Sequence, residues 1–552
     1  MICFLFYFSL STEYYVKWKG DNRTICHSLW PCDWDIAVSR FKRDDIIVIT
    51  DKILNTTEQL EKFRNMSTYV LNTGGGVSGN PTIIDGSLYE PSIRDFYIEM
   101  SPFNESLFVG LTFINFKFPI ISVQGMELVY FVNCSFNNNQ VSFDFPMLTF
   151  NNCTAIIANG TISKNIVEAT SLIGLSTAIL GLMNMTVEEN TQLSRGTIPL
   201  FDFTNAASEI SQTVFRNNSS PNSPLFGSWF FIIVYITKSN FTNNFCGSSA
   251  LIVGDSLANI TIEDSLITNN YGALVHSMTM SSINISNSKV KENFASDSAL
   301  VFAPRSSIQF LNQTIVENNI ADSIISSQLT NETSLVLNST IFVNNSCSDT
   351  AFALYNSNSW IINSTVSSNT VVGHPFISIQ ISNFTIDGST FNSNWATNEG
   401  SVVKIEDCSV NANSSLFSEN SGKMSGAFDI AIQTNETLKF VFQNLTFNSN
   451  EGKIVSSVYF SNKIPESRFE YCKFSKNRFE EVNGHLNLPQ TFFRCRFNTH
   501  NHSDISFHIS STVENQPDEF VFIICLIFYV VSIILLSALI LIPIDKLMTH
   551  HL

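Results

Sequence analysis

The sequence predicts an all-β protein, a right-handed parallel β-helix (solenoid), followed by one C-terminal transmembrane α-helix. Three observations predict this fold: a repeat of 23 to 30 residues, short apolar runs with a period of two inside each repeat, and a final apolar segment without a charge. The 552 residues would allow several domains, but one repetitive domain accounts for the length equally well.

An asparagine that closes a short apolar run defines the repeat. An apolar residue stands three positions before each asparagine, and six of these pairs read Phe-x-x-Asn: Phe215/Asn218, Phe241/Asn244, Phe391/Asn394, Phe417/Asn420, Phe447/Asn450 and Phe474/Asn477. Asparagine suits the corners of such a coil, because it tolerates left-handed backbone geometry and forms local hydrogen bonds. The repeated asparagine is therefore predicted to be structural.

Each repeat contains two or three short strands. Apolar residues two apart, such as Val234 and Ile236, lie on one face of a strand. A unit this small cannot bury its own apolar face, so it must stack on copies of itself. The Leu-x-x-Leu-x-Leu frame of leucine-rich repeats is absent, and helical repeats would need a period of 3.6. A parallel β-helix remains.

The repeats resemble a known family. The Phe-x-x-Asn tetrapeptides, with degenerate glycine motifs such as Gly272-Ala273-Leu274, resemble the polymorphic outer membrane protein repeat family over about residues 200 to 500. The C-terminal apolar segment makes the chain similar to the trichomonad-type membrane-anchored members. The resemblance implies a pectin-lyase-like β-helical ectodomain on a surface protein and candidate adhesin.

The two ends of the chain carry apolar segments. Phe520 to Ile542 has 23 residues without a charge, long enough to span a membrane at ~1.5 Å per residue. The charges on either side favour a type I plasma-membrane protein with an extracellular ectodomain. The full predicted division is a signal sequence at 1–12, an N-terminal cap at 24–50, the β-helix ectodomain at 51–500, a juxtamembrane spacer at 501–519, the transmembrane helix at 520–542 and a cytoplasmic tail at 543–552.

Cysteines and glycosylation sequons agree with an extracellular location. Cys26 and Cys32 are close in sequence, and Cys134 with Cys153 and Cys472 with Cys495 are each about one repeat apart, so stacked neighbours could form disulfides. Candidate N-glycosylation sites in the repeats are Asn259, Asn284, Asn312, Asn338, Asn363, Asn383 and Asn444.

The charge distribution limits the partners. A net charge of −17 without a basic patch disfavours nucleic acid. The predicted partners are the membrane, through its single span, and a protein or glycan on the surface of a host cell or a neighbouring cell.

No enzyme site is predicted from the sequence. Parallel β-helices also serve as glycan-active enzymes, whose chemistry needs clustered carboxylates and basic groups. The candidates Asp44, Asp45, Asp85, Glu263 and Asp264 have no basic partner one coil away. The sequence thus predicts adhesion or a surface-coat role without catalytic residues, cofactor or metal. The alternative is a polysaccharide lyase or a glycosidase-like enzyme on the same scaffold.

Overall fold

The chain folds into a parallel β-solenoid of about 14 turns, which confirms the predicted all-β architecture. The computed structural model describes residues 13–21, 26–28, 30–40, 46–69, 72–75, 81–89, 97–100, 105–193, 197–228, 230–327, 333–397, 401–433, 438–460, 467–477, 482–484 and 491–498. Each coil contributes strands to three parallel sheets that run the length of the molecule.

The first sheet takes the longest regular strand of most coils. Buried and exposed residues alternate along these strands, as in Leu128–Val132, because successive side chains point to opposite faces. Its strands are Glu13–Asp21, Ile46–Ile49, Asn72–Gly75, Glu105–Val109, Leu128–Val132, Thr154–Ala158, Ile179–Met183, Ala206–Ser211, Ile232–Thr237, Ala258–Glu263, Ser282–Ser286, Ser307–Leu311, Thr333–Asn338, Ser357–Ile362, Asn383–Asp387, Ser409–Asn413, Phe440–Gln443, Ser467–Glu470 and Thr491–Phe493.

The second sheet follows after a sharp corner and carries the apolar residue of each Phe-x-x-Asn motif. Phe215 pairs in register with Phe241, and the two rings stack at 4.6 Å. Its strands are Ile53–Leu54, Thr82–Asp85, Leu111–Ile114, Ser135–Asn137, Thr161–Ser163, Thr186–Glu188, Val214–Arg216, Asn240–Thr242, Leu266–Thr268, Lys289–Lys291, Ile315–Glu317, Ile341–Val343, Thr365–Ser367, Thr390–Asn392, Leu416–Ser418, Thr446–Asn448, Lys473–Ser475 and Arg496–Asn498.

The third sheet closes the coil, and in many coils it is split into a two-residue strand and a longer one. Its strands are Ile98–Met100, Ile121–Gln124, Gln140–Val141, Leu148–Asn151, Ile166–Val167, Ile173–Ser176, Thr191–Gln192, Phe201–Thr204, Phe226–Ser228, Phe245–Ser256, Tyr271–Thr279, Phe294–Phe302, Ile320–Ser326, Ser346–Cys347, Phe352–Tyr355, Thr370–Val371, Ile377–Gln380, Trp395–Ala396, Val403–Glu406, Ser421–Gly422, Phe428–Ala431, Glu451–Gly452, Val458–Phe460 and Val482–Gly484.

Helices occur near the N-terminal end of the described chain. They are Trp34–Val38, Thr57–Tyr69 and the 3₁₀ turn Gly86–Leu88. Asp33 caps the first helix, since its side chain accepts a hydrogen bond from the Asp35 backbone N–H at 3.1 Å. A disulfide joins Cys26 and Cys32 beside this helix.

The repeated asparagines form a hydrogen-bonded ladder inside the second corner of the coil. In each typical rung, as at Asn319, the side-chain Nδ2 donates to the Oδ1 of the next asparagine, here Asn345, at 2.9 Å and to a carbonyl of the preceding coil, here that of Val290, at 3.0 Å. The ladder is formed by Asn139, Asn165, Asn190, Asn218, Asn244, Asn270, Asn293, Asn319, Asn345, Asn369, Asn394, Asn420, Asn450 and Asn477.

The left-handed backbone conformation falls on the residue before each ladder asparagine. Asn318, which precedes Asn319, has φ of 55°. The sequence-based explanation therefore needs correction: the repeated asparagine makes the inward hydrogen bonds, and the residue before it makes the left-handed turn.

The termini carry predictions that lie outside the described residues: the signal sequence at 1–12, the spacer at 501–519, the transmembrane helix at 520–542 and the tail at 543–552. In the described ranges no helix has both the length and the apolar character needed to cross a membrane.

Candidate active site on the third sheet

One outward-facing position of the third sheet recurs in each described coil from Glu99 to Tyr459 and forms a continuous row of side chains. Its neighbours on each strand point into the core, as Val403 and Ile405 do on either side of Lys404. We call this row the outward ladder; in order it contains Glu99, Ser122, Thr149, Gly174, Asp202, Gly227, Val253, His276, Phe302, Ser326, Ala353, Ser378, Lys404, Asp429 and Tyr459.

Asp429 is a buried acid on this ladder. It lies in an otherwise apolar strand, Phe428–Ala431, and is 6% exposed. Its Oδ1 has no hydrogen-bond partner among the residues that the structure describes. Burial raises the pKa of the Asp429 carboxyl to about 6, because desolvation penalises the charged form. A group of this kind can hold or release a proton near neutral pH.

Lys404 and Glu406 lie on the adjoining strand. Lys404 pairs in register with Asp429, and its Nζ contacts Glu406 Oε1 at 2.6 Å. The Lys404 ammonium lowers the pKa of Asp429 and the Glu406 carboxylate raises it, but burial is the largest effect. Glu406 and Asp429 occupy diagonal positions on one face, whose Cα atoms are typically ~7–8 Å apart. Two carboxyl groups with different surroundings therefore share the same surface.

A cleft of about 540 Å³ adjoins these residues. Its lining includes Asp349, Tyr355, His374, Ser378 and Gln380. Ser378 pairs in register with Lys404, and Gln380 pairs with Glu406, so the floor of the cleft continues directly into the carboxylate pair. His374 Nε2 lies 3.6 Å from Asp349 Oδ1 at the rim.

A second acid, the half-buried Asp202, occupies the outward ladder nearer the N-terminus. Burial also raises the pKa of its carboxyl, and its Oδ1 likewise has no hydrogen-bond partner within the described ranges. Its ladder neighbours are Gly174 and Gly227, which carry no functional group. Asp202 therefore provides an internal comparison for Asp429.

The Asp429 surface has the groups required for acid–base chemistry on a bound molecule. Asp429 can exchange a proton, Glu406 supplies a second carboxylate, and Lys404 places a positive charge beside both. The described part of the chain contains no group of three or more His, Cys, Asp or Glu side chains arranged to hold a metal ion.

The six motif phenylalanines are buried, their asparagines point into the corner of the coil, and neither group contributes to this surface. The phenylalanines stack along the solenoid axis, with Phe391 and Phe417 at 4.8 Å and Phe447 and Phe474 at 4.9 Å. Among the candidate glycosylation sites, Asn259, Asn312, Asn363, Asn383 and Asn444 are exposed, and Asn284 and Asn338 are partly exposed. Their glycosylation stays a prediction.

The candidate cysteine pairs behave differently from one another. Cys134 and Cys153 are free thiols, and their predicted bond is not formed, because one coil at this point is 26 residues long and brings Gly160 next to Cys134. Cys472 and Cys495 are also free thiols, but they stack on adjacent coils, where Cys472 Sγ donates to the Phe442 carbonyl at 3.4 Å and Cys495 Sγ to the Phe469 carbonyl at 3.5 Å. The disulfide candidates at these two positions thus differ in geometry.

The sequence did contain a signal for the acid site. Asp429 interrupts the run Ala427-Phe428-Asp429-Ile430-Ala431, where a charged residue is unexpected, and Lys404 precedes it by 25 residues, which is one coil. A search for basic partners centred on the more obvious acids Glu263 and Asp264 passes over this pair.

These features define the class of the protein: a parallel β-solenoid with an acid–base surface on one sheet. Among solved structures, it is similar to the periplasmic alginate epimerase AlgG, with 8% identity and a TM-score of 0.30 over 64% of this chain and 78% of that one. A mutant of the same epimerase gives 8% identity and a TM-score of 0.23 over 67% and 78%. No protein-family model matches the sequence, and no curated protein matches it.

The comparison corrects one sequence-based prediction. The chain was expected not to be an enzyme, and the two solved structures named above, which are of an enzyme, contradict that prediction. The likeness assigns no role to any residue of this chain. The function must be argued from the Asp429 surface itself.

Proposed function

We propose that the protein is a glycan-active β-helix enzyme that hydrolyses glycosidic bonds at the Asp429 surface. The observation that carries the proposal is Asp429, a buried carboxyl whose Oδ1 has no hydrogen-bond partner in the described structure, beside the Lys404–Glu406 pair and at the end of an open cleft. Asp202 also has an unpaired Oδ1, so the features that distinguish Asp429 are the neighbouring carboxylate, the lysine and the cleft.

The two carboxyl groups divide the roles of glycoside hydrolysis. Asp429, whose pKa burial raises to about 6, gives its proton to the glycosidic oxygen as the bond from that oxygen to the anomeric carbon breaks. Glu406 accepts a proton from the attacking water, whose hydroxyl bonds to the anomeric carbon. Glu406 then releases its proton to solvent and Asp429 regains one, so one water is the only reactant consumed besides the glycan.

Lys404 has a positioning role in this scheme. Its ion pair with Glu406 holds that carboxylate on the outward face and balances its charge. Its attraction for the Asp429 carboxylate also keeps the pKa of Asp429 from rising further. The acid can therefore titrate close to neutral pH.

The direct test incubates the purified full-length chain with a panel of polysaccharides and measures newly formed reducing ends. We expect release from at least one glycan by the wild type and none by Asp429→Asn. The lyase alternative is distinguished by its product, because elimination leaves a carbon–carbon double bond that absorbs ultraviolet light. Ultraviolet-absorbing products would show that the chain cleaves glycans by elimination and not by hydrolysis. The absence of products from every glycan would contradict the proposal.

The sequence predicted an adhesion or surface-coat role, which no contact or comparison above supports. We propose the glycan-active function in its place. A right-handed coil remains our inference, since crossovers between parallel strands are right-handed in about 98% of cases. The resemblance to the polymorphic outer membrane protein repeats and the type I plasma-membrane location stay predictions. In that location the Asp429 surface would meet extracellular glycans.

A further inference from the structure

We propose that the substrate is an uncharged glycan chain that lies along the solenoid axis, with the 540 Å³ cleft holding the sugars next to the cleaved bond. This inference rests on the proposed function, because it concerns the same surface. It adds the substrate class and the direction of binding, which the acid–base pair alone does not give.

The direction follows from the register of the strands. Tyr355 pairs with Gln380, Gln380 pairs with Glu406, and Asp429 lies on the next strand. Four successive strands of a parallel sheet cover about 14 Å at ~4.8 Å per step. The cleft and the carboxyl pair therefore form one groove parallel to the axis, longer than a single sugar ring, and a glycan chain laid in it would contact several coils.

The chemistry of the cleft suits hydroxyl groups. Tyr355, Ser378 and Gln380 present a phenol, a hydroxyl and an amide, each of which can donate and accept hydrogen bonds. The ring of Tyr355 is 36% exposed, so it offers an apolar face to a sugar ring. Such a mixture of an aromatic face and uncharged polar groups recognises neutral sugars.

The charges of the groove disfavour an anionic glycan. Its two described basic side chains are already engaged, Lys404 with Glu406 and His374 with Asp349. The carboxylates of Asp349 and Glu406 remain in the groove, Asp429 offers no positive charge in either protonation state, and the whole chain has a net charge of −17. A polyuronate would have to place its carboxylates beside these acids, and like charges at close range are repulsive. The groove therefore favours an uncharged chain.

The test measures binding of oligosaccharides by calorimetry to the full-length Asp429→Asn variant, which cannot consume them. Cellohexaose, xylohexaose and mannohexaose are the neutral probes, with their disaccharides as short counterparts, and hexagalacturonate is the acidic probe. We expect at least one neutral hexamer to bind about tenfold more tightly than its disaccharide and more tightly than hexagalacturonate. Tighter binding of hexagalacturonate, or no binding by any neutral hexamer, would overturn the inference.

The cleft itself is tested by Tyr355→Ala in the Asp429→Asn background. We expect hexamer binding to weaken about tenfold while disaccharide binding at the carboxyl pair is unchanged. Tyr235→Ala is the matched control, because Tyr235 is similarly exposed (38%) but lies on the first sheet. If Tyr355→Ala and Tyr235→Ala changed hexamer binding equally, the glycan would not bind in the cleft. Cleavage by the wild type is scored separately, so an inactive chain that binds neutral hexamers refutes only the proposed reaction.

Discussion

Asp202 and Asp429 occupy the same position in two different coils, yet their surroundings differ completely. Both acids lie on the outward ladder, both have an Oδ1 without a hydrogen-bond partner in the described structure, and burial raises the pKa of both. Around Asp202 the sheet is covered by prolines: a methyl group added at Gly227 would overlap the rings of Pro199 and Pro224, and one added at Gly174 would overlap Pro146. Only glycine allows this close approach.

Around Asp429 the same sheet is lined with functional groups. Lys404 and Tyr459 are its ladder neighbours, and Glu406 lies diagonally. The cleft begins one coil beyond Lys404, at Ser378 and Gln380. The comparison teaches that a buried acid with a raised pKa does not by itself make a site. The arrangement becomes reactive where a second carboxylate, a cation and room for a ligand adjoin the acid.

The largest expected difference between the two regions is in catalysis. Asp429→Asn should reduce kcat/KM on a cleaved glycan by about 10²–10⁴-fold, because it removes the proton donor without changing the shape of the side chain. Asp202→Asn should leave kcat/KM within about twofold of the wild type. Initial rates of reducing-end formation measure both, and comparable losses in the two variants would mean that the buried acids act only through the scaffold.

Both acids should make stability depend on pH in the same direction. The pKa of Asp429 rises from an ordinary value of 3.8 to about 6 on folding, so the folded state binds more protons in this window. The free energy of unfolding should therefore fall as the pH rises from about 4 to about 6, by about 3 kcal/mol at ~1.4 kcal/mol per pH unit. Asp429→Asn should remove this loss, as measured by urea denaturation at pH 4 and pH 7.

Asp202→Asn should also reduce the decline of stability with rising pH, since burial raises the pKa of Asp202 as well. The two variants would then resemble each other in stability and differ in activity. A wild-type protein equally stable at pH 4 and pH 7, and unchanged by either substitution, would show that these carboxyls are not desolvated.

The asparagine ladder should respond alike in the two regions. Asn190→Ala near Asp202 and Asn420→Ala near Asp429 each remove hydrogen bonds to the next asparagine and to a carbonyl of the preceding coil. Each should cost about 1–3 kcal/mol through buried groups left unpaired. The exposed Asn358→Ala serves as control and should change stability by less than about 0.5 kcal/mol. A marked difference between the two ladder variants in urea denaturation would show that the coils do not share one scaffold.

The smallest expected effect concerns Lys404. Its charge lowers the pKa of Asp429, so Lys404→Gln should raise the pH at which kcat/KM declines on the alkaline side, by about one pH unit or less. Lys289→Gln, an exposed lysine on the second sheet, should not move it. A downward movement in Lys404→Gln would mean that the lysine does not act on Asp429 through its charge.

The fold was predictable because its determinants repeat. The Phe-x-x-Asn motif gives the register of the second sheet, and the same period predicts stacking of Phe391, Phe417 and Phe447 in the core. The conformational role of the asparagine was misplaced by one residue, since hydrogen bonds to the next coil cannot be distinguished from a turn preference in the sequence alone.

The candidate site was harder to predict because the turn before the third sheet varies in length. The outward ladder residue follows the ladder asparagine by eight residues at Ala353, by ten at Lys404 and by nine at Asp429. The asparagine register therefore does not align these side chains, and Lys404 and Asp429 become neighbours only once the strands pair. The predicted pairing of Cys134 with Cys153 failed for a related reason, since 19 residues do not complete a coil there.

The central claim, that the carboxyl group of Asp429 titrates near pH 6, is tested most directly by following its protonation. Infrared difference spectra of the wild type minus Asp429→Asn, recorded from pH 3 to pH 8, isolate the C=O band of protonated Asp429. We expect the band to disappear with a midpoint near pH 6, as burial of the carboxyl requires. A midpoint near the ordinary value of 3.8 would show a solvated carboxylate and would contradict the assignment of Asp429 as the acid.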